Sequence, residues 1–100
     1  MAFILIADIP NMSSEQYRQL HSMVMEAGRP DGMISHCGRV KGSGISIIDI
    51  WESKPSVQAF LKERLMPAME SLGIDGEPDV LLMTDLVQAI AFDYGKQEKY

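Results

Sequence analysis

Few side chains in this 100-residue chain are suited to chemistry, and His36 stands first among them. A histidine on a strand could act as a general base or hydrogen-bond a substrate oxygen, because imidazole exchanges its proton near neutral pH. It equally suits a sheet-surface residue bonded to a neighbouring carbonyl. If the strands carrying His36 and Asp49 pair through the short turn between them, the two residues fall near the same register. A His–Asp pair would hold the imidazole in one tautomer. Asp49 equally suits a buried structural acceptor, since ion-pair networks resemble functional sites. Trp51 lies two residues beyond Asp49, on the same strand face. Its indole could line an aromatic-binding pocket, or it could anchor a core or a dimer interface. Phe60 and Met66 are candidate pocket walls.

Other chemistries find little support. Cys37 adjoins His36, but neighbours on a strand point to opposite faces and cannot chelate one ion together. With His21 the only other soft ligand, no metal site is readable. Cys37 is expected as a small buried hydrophobe and His21 as a surface or flank residue on a helix. Among the eight methionines, Met23, Met25, Met66, Met69 and Met83 could form an adaptable pocket or fill core gaps. The Gly42-Ser-Gly44 turn lacks the spacing of a phosphate loop, and no Gly-x-Ser-x-Gly elbow occurs. We therefore expect no metal, flavin or nucleotide cofactor.

The composition narrows the partners. A net charge of −5 and scattered Lys and Arg residues argue against an electrostatic grip on nucleic acid or an anionic membrane. No apolar run approaches a bilayer span, and the N-terminal apolar stretch lacks the preceding positive charge of a signal peptide. A single cysteine suits a reducing, cytoplasmic setting.

The elements that must hold these residues follow from pattern. Ala2 to Ile9 reads as a strand closed by Pro10. Ser13 and Gln16 fit a capping box, with Met12 and Tyr17 at the positions of a hydrophobic staple. Tyr17, Leu20, Val24 and Ala27 recur at helical spacing until Gly28. Met33 to Val40 and Ile45 to Glu52 read as two strands joined by a hairpin turn. Ser53 caps a second helix, whose apolar stripe runs from Val57 to Leu72 and contains Pro67; a kink or break is expected near Leu65 and Met66. Asp79 to Ile90 supplies a fourth strand, and residues 91–100 form a polar, loosely held tail beyond a core of residues 2–90.

The order is β-α-β-β-α-β, a single α+β domain of ferredoxin-like type. A four-stranded antiparallel sheet then carries two helices on one face. The other face has too few polar residues to meet water, so a cover is expected. A second copy of the chain is the simplest cover, giving a homodimer around a barrel-like interior.

The segment Ile48-Ile-Asp-Ile-Trp-Glu-Ser-Lys-Pro-Ser-Val-Gln-Ala-Phe60, continued by Arg64-Leu-Met-Pro-Ala-Met69, resembles the dimeric α+β barrel superfamily. The likeness is to small proteins related to the antibiotic-biosynthesis monooxygenases, and with His36 on the preceding strand it spans residues 2 to 90. The resemblance implies a dimer whose subunits each hold a pocket between the sheet and the second helix. Haem-degrading members carry an Asn on the first strand and a His on the second helix. This chain has neither, and only the tryptophan matches, which sets it apart from them.

For an enzyme, the resemblance implies cofactor-independent, monooxygenase-like oxidation of a small apolar compound, aromatic or polyketide-like. The substrate's own enolate or phenolate would reduce oxygen. The residues then needed are a base (His36), an orienting carboxylate (Asp49) and apolar walls (Trp51, Phe60, Met66). The alternative is a non-catalytic dimer that binds a ligand, or another protein, through the same fold. A DNA-binding role fails for want of a helix-turn-helix or a basic patch.

Overall fold

A computed structural model describes residues 1–75, 78–93 and 96–99. Strand β1 (Phe3–Ile9) leads to helix α1 (Ser14–Val24), then β2 (Met33–Lys41) and β3 (Gly44–Trp51). The second helix comprises α2 (Lys54–Phe60), a π-turn (Leu61–Leu65) and α3 (Met66–Ser71), and β4 (Asp79–Asp85) follows. The four strands form an antiparallel sheet in the order β2-β3-β1-β4, so the ferredoxin-like topology expected from the pattern is the one adopted.

Each boundary has a local cause. At α1, Ser13 accepts from the Gln16 amide while the Gln16 side chain accepts from the Ser13 amide, completing the capping box. The helix ends at Val24, one turn earlier than the Gly28 stop expected from the sequence. Arg64, reaching across from the second helix, donates to the carbonyls of Val24 and Gly28 at 3.1 and 2.5 Å. It thereby satisfies the Val24 carbonyl that the helix end leaves open, holds the loop at Gly28, and ties α1 to the π-turn. The hairpin between β2 and β3 closes through Gly42 and Ser43, with Gly42 at φ +59°.

The break in the second helix lies just before Pro67. A proline at 67 has no amide to offer the carbonyl of Glu63, and its ring crowds that carbonyl. The Met66 amide bonds to the Leu61 carbonyl five residues back, so the helix widens for one turn.

One sheet face is covered by the helices. Phe3, Leu5, Ala7 and Ile9 of β1 and Ile45, Ile47, Asp49 and Trp51 of β3 are buried there with Leu20, Val24, Val57, Phe60, Leu65 and Met69 from the helices. The opposite face carries half-buried Ile4, Ile6, Ile48 and Ile50, with exposed Leu82 on β4. It is less uniformly apolar than expected. Asp8, Ser46, Arg39 and Lys41 occupy one end, and Lys41 bonds Asp8 at 2.6 Å.

Two further expectations are corrected. Cys37 is exposed, not buried, because β2 is an edge strand and Cys37 points to the uncovered face. The fourth strand stops at Asp85 instead of running to Ile90, and Ile90–Asp93 (β5) pairs with Lys96–Lys99 (β6) in a separate two-stranded sheet. Part of the loosely held tail expected at 91–100, namely Tyr94, Gly95 and Tyr100, lies outside the described residues.

Candidate functional site

The register of the β2–β3 hairpin decides where the histidine goes. Counting back from the turn places His36 opposite Asp49, with both on the helix-covered face. The His36 Nδ1 lies 2.5 Å from an Asp49 carboxylate oxygen. Asp49 is buried at 3% exposure, so its charge meets protein groups and little water. On the other side of the ring, Nε2 hydrogen-bonds the hydroxyl of Tyr17, which descends from α1. Tyr17, His36 and Asp49 thus form one continuous hydrogen-bonded line from helix to sheet.

The direction of that line follows from donor and acceptor inventories. An ionised Asp49 only accepts, so His36 Nδ1 carries the hydrogen. In the neutral imidazole Nε2 is then an acceptor, and the Tyr17 hydroxyl donates to it. The tyrosine oxygen is left with lone pairs toward the cavity. Burial, reinforced by the nearby charges of Asp49 and Cys37, pushes the Tyr17 phenol above its ordinary value of 10.0.

Gly38 makes this approach possible. A Cβ at position 38 would lie 2.7 Å from the Tyr17 ring and hydroxyl, closer than real Cβ contacts come. A strand glycine here marks close passage of another group over the sheet.

These groups open into a cavity of about 280 Å³ between the sheet and both helices. Its walls are mostly aliphatic and aromatic, with Leu5, Ile47, Phe60, Leu65 and Met66 among them. Tyr17, His21, His36 and Asp49 gather the polar lining into one corner, and neither Lys nor Arg lines the cavity among the described residues. Such a cavity suits a small apolar ligand oriented by one polar end.

The expected site residues divide. His36 and Asp49 come together as the strand register required, and Phe60 and Met66 are walls. Met25 and Met33 also line the cavity, while Met69 belongs to the core at 1% exposure. Trp51 is a correction. It is fully buried with its ring centroid 4.9 Å from that of Phe60, and it does not line the cavity. Although it shares a face with Asp49, it sits two residues nearer the end of β3, opposite Phe3 and Met33.

His21 is the second correction. Expected on the flank, it lies 5.2 Å from the His36 ring, nearly parallel at 20°, and lines the cavity. Burial and then the neighbouring His36 push its pKa below 6.5, with Asp49 pulling weakly the other way. Helical spacing alone places Tyr17 on an apolar stripe and does not show its bond to His36. The available signal was the i, i+4 pair Tyr17 and His21 on the stripe of α1, facing a strand that carries both a histidine and a glycine.

Fold and site together define a small ferredoxin-like α+β domain with an apolar cavity and one hydrogen-bonded polar corner. No family model matches the chain, and no curated protein does. The chain is similar in structure to a crystallised protein from Chloroflexus aurantiacus J-10-fl, provisionally classed as an antibiotic biosynthesis monooxygenase. The TM-score is 0.54 at 16% sequence identity, over 85% of this chain and 87% of that one. At this identity the likeness establishes the fold alone. No helix among the described residues is long and apolar enough to cross a membrane.

Proposed function

We propose that the cavity binds a small apolar molecule bearing an acidic hydroxyl and removes its proton. The observation that carries this reading is the Tyr17–His36–Asp49 line ending in an apolar cavity. A ligand O–H donates to the Tyr17 oxygen. As the ligand proton moves to that oxygen, the tyrosine proton moves to His36 Nε2. The products are a ligand anion, a neutral Tyr17 hydroxyl directed at it, and a His36 imidazolium held by Asp49. Tyr17 ends as it began, which agrees with a phenol made harder to ionise by burial.

The overall chemistry we assign is cofactor-independent, monooxygenase-like oxidation of an aromatic or polyketide-like compound. The ligand anion gives electrons to dioxygen, and a ring C–H conjugated with its oxygen becomes a carbonyl, that hydrogen and the proton held on His36 supplying the two of the water formed. One oxygen atom enters the product and the other leaves as water. The fold shared with the Chloroflexus aurantiacus protein supports this choice among proton-abstracting reactions. The working form we propose is a homodimer in the cytoplasm, its two copies meeting through the Ile4, Ile6, Ile48 and Ile50 face.

4-Nitrophenol tests the first step, because its phenolate absorbs visible light. Below the pH at which the free phenol ionises, the bound phenol should show a larger phenolate fraction than the free one. Asp49→Asn should bind it with that excess largely lost. Binding without any excess ionisation in the wild type would leave a non-catalytic ligand-binding protein.

A further inference from the structure

The geometry points to His21 as a second ligand-recognition group, which with Tyr17 reads two neighbouring uncharged oxygens on an apolar ligand. This rests on the reading of the cavity as a hydroxyl-binding site and adds a ligand class to it.

Tyr17 and His21 stand four residues apart on α1, one above the other on the same helix face, with ring centroids 6.0 Å apart. The three rings of the corner differ in what they have left to offer. His36 spends both nitrogens, one on Asp49 and one on Tyr17. Tyr17 spends its hydrogen on His36 and keeps oxygen lone pairs. His21 keeps everything: no group among the described residues hydrogen-bonds its ring, although that ring lines the cavity.

Its position is nonetheless fixed. The ring lies nearly parallel to His36 at 5.2 Å and is tilted 35° to Tyr17 at 6.0 Å. A neutral imidazole so held offers one donor and one acceptor at a set place. A ligand hydroxyl engaged by Tyr17 leaves His21 to meet the next oxygen along the ligand, as donor to a carbonyl or acceptor from a hydroxyl.

The charge of that second oxygen is also specified. The lining contains the Asp49 carboxylate and neither Lys nor Arg among the described residues. A carboxylate or phosphate would enter an apolar cavity unpaired and near a like charge, which is costly. The ligand class is therefore an uncharged, largely apolar compound with two neighbouring oxygens.

Calorimetric titration of the full-chain protein with 2-naphthol, 2,3-dihydroxynaphthalene and 3-hydroxy-2-naphthoate separates the possibilities. The second hydroxyl should tighten binding about 3- to 10-fold, the worth of one net hydrogen bond. The carboxylate should weaken it relative to 2-naphthol. His21→Leu should abolish the preference for the dihydroxy compound, bringing the two neutral naphthols to about equal affinity, and His21→Gln should retain part of the preference. The imidazole nitrogen resonances of His21 should shift with the dihydroxy compound and not with 2-naphthol. Equal affinity of the two neutral naphthols for the wild type overturns the proposal, as does His21→Leu weakening both alike. If neither neutral naphthol binds the folded protein, the cavity reading falls first and the role of His21 with it.

Discussion

The ring of Tyr17 occupies the space that any side chain at position 38 would need. An added Cβ would sit 2.7 Å from the tyrosine hydroxyl, so a side chain at position 38 and the Tyr17 ring exclude each other. The bond from Tyr17 to His36 depends on that exclusion being resolved in favour of the tyrosine. Gly38→Ala should therefore push the phenol off the sheet. Overpacking of this kind costs about 1–3 kcal/mol. Chemical denaturation should show that loss, and the His36 Nε2 resonance should move to that of an unbonded nitrogen. An alanine variant with unchanged stability and unchanged His36 signals would contradict the packing described.

Asp49→Asn is the cleaner probe of the hydrogen-bonded line. His36→Ala would strand a buried carboxylate and so confuse folding with function. An asparagine oxygen can still accept from His36 Nδ1, but it brings no negative charge to stabilise the imidazolium. Proton transfer from a bound phenol, or turnover once a substrate is found, should fall on the order of 100-fold. Added chelator should leave the wild-type proton transfer unchanged. A fully active Asp49→Asn protein would remove the carboxylate from the mechanism.

The pH dependence of stability should carry a signature of His21. Its native pKa lies below the ordinary 6.5, so between those two values the unfolded chain binds more protons than the native one. Stability therefore rises with pH across that window and is lost as pH falls from about 6.5. Tyr17, His36 and Asp49 are the titratable groups facing the ring. His21→Gln should be less sensitive to acid than the wild type when denaturation midpoints at about pH 5 and about pH 8 are compared. Identical acid sensitivity would show that His21 titrates as it does in the unfolded chain.

Light scattering should report a particle of twice the 11.1 kDa chain mass at micromolar concentration. The Ile4, Ile6, Ile48 and Ile50 face supplies the reason, since no helix among the described residues covers it. Ile6→Lys together with Ile48→Asp, placed at paired positions in the sheet, should shift the protein to a monomer. A wild-type chain that stays at 11.1 kDa would contradict the dimer.

The order of elements and the meeting of His36 with Asp49 were legible because both follow from local rules. A two-residue turn at Gly42 and Ser43 fixes a register, and a register fixes which residues face each other. Tyr17 and His21 were not legible in the same way. Helical spacing shows that Tyr17 lies on the buried stripe of α1, but the strand residue beneath it depends on how the helix is set on the sheet. The Arg64 bonds to Val24 and Gly28 contribute to that setting and join residues 36 to 40 positions apart. Trp51 takes the core-anchor alternative and not the pocket-wall one for a related reason. Alternation gave its face correctly, but the wall of the cavity ends at Phe60, which stands against the indole.

The π-turn at Leu61–Leu65 gives the cavity wall a property of its own. Leu61, Leu65 and Met66 line the cavity from a stretch that holds one residue more than a regular helix would use over the same length. Deleting a single residue there, together with Pro67→Ala, would let the helix close to ordinary pitch. Side chains downstream would keep their facing, because the wide turn already absorbs the extra residue, while the bulged wall between Leu61 and Met66 would flatten. A one-codon deletion could thus recast the pocket's shape while the sheet, and the polar corner opposite, stayed where they are. Ligand range in this scaffold can change by the length of the chain as well as by its side chains.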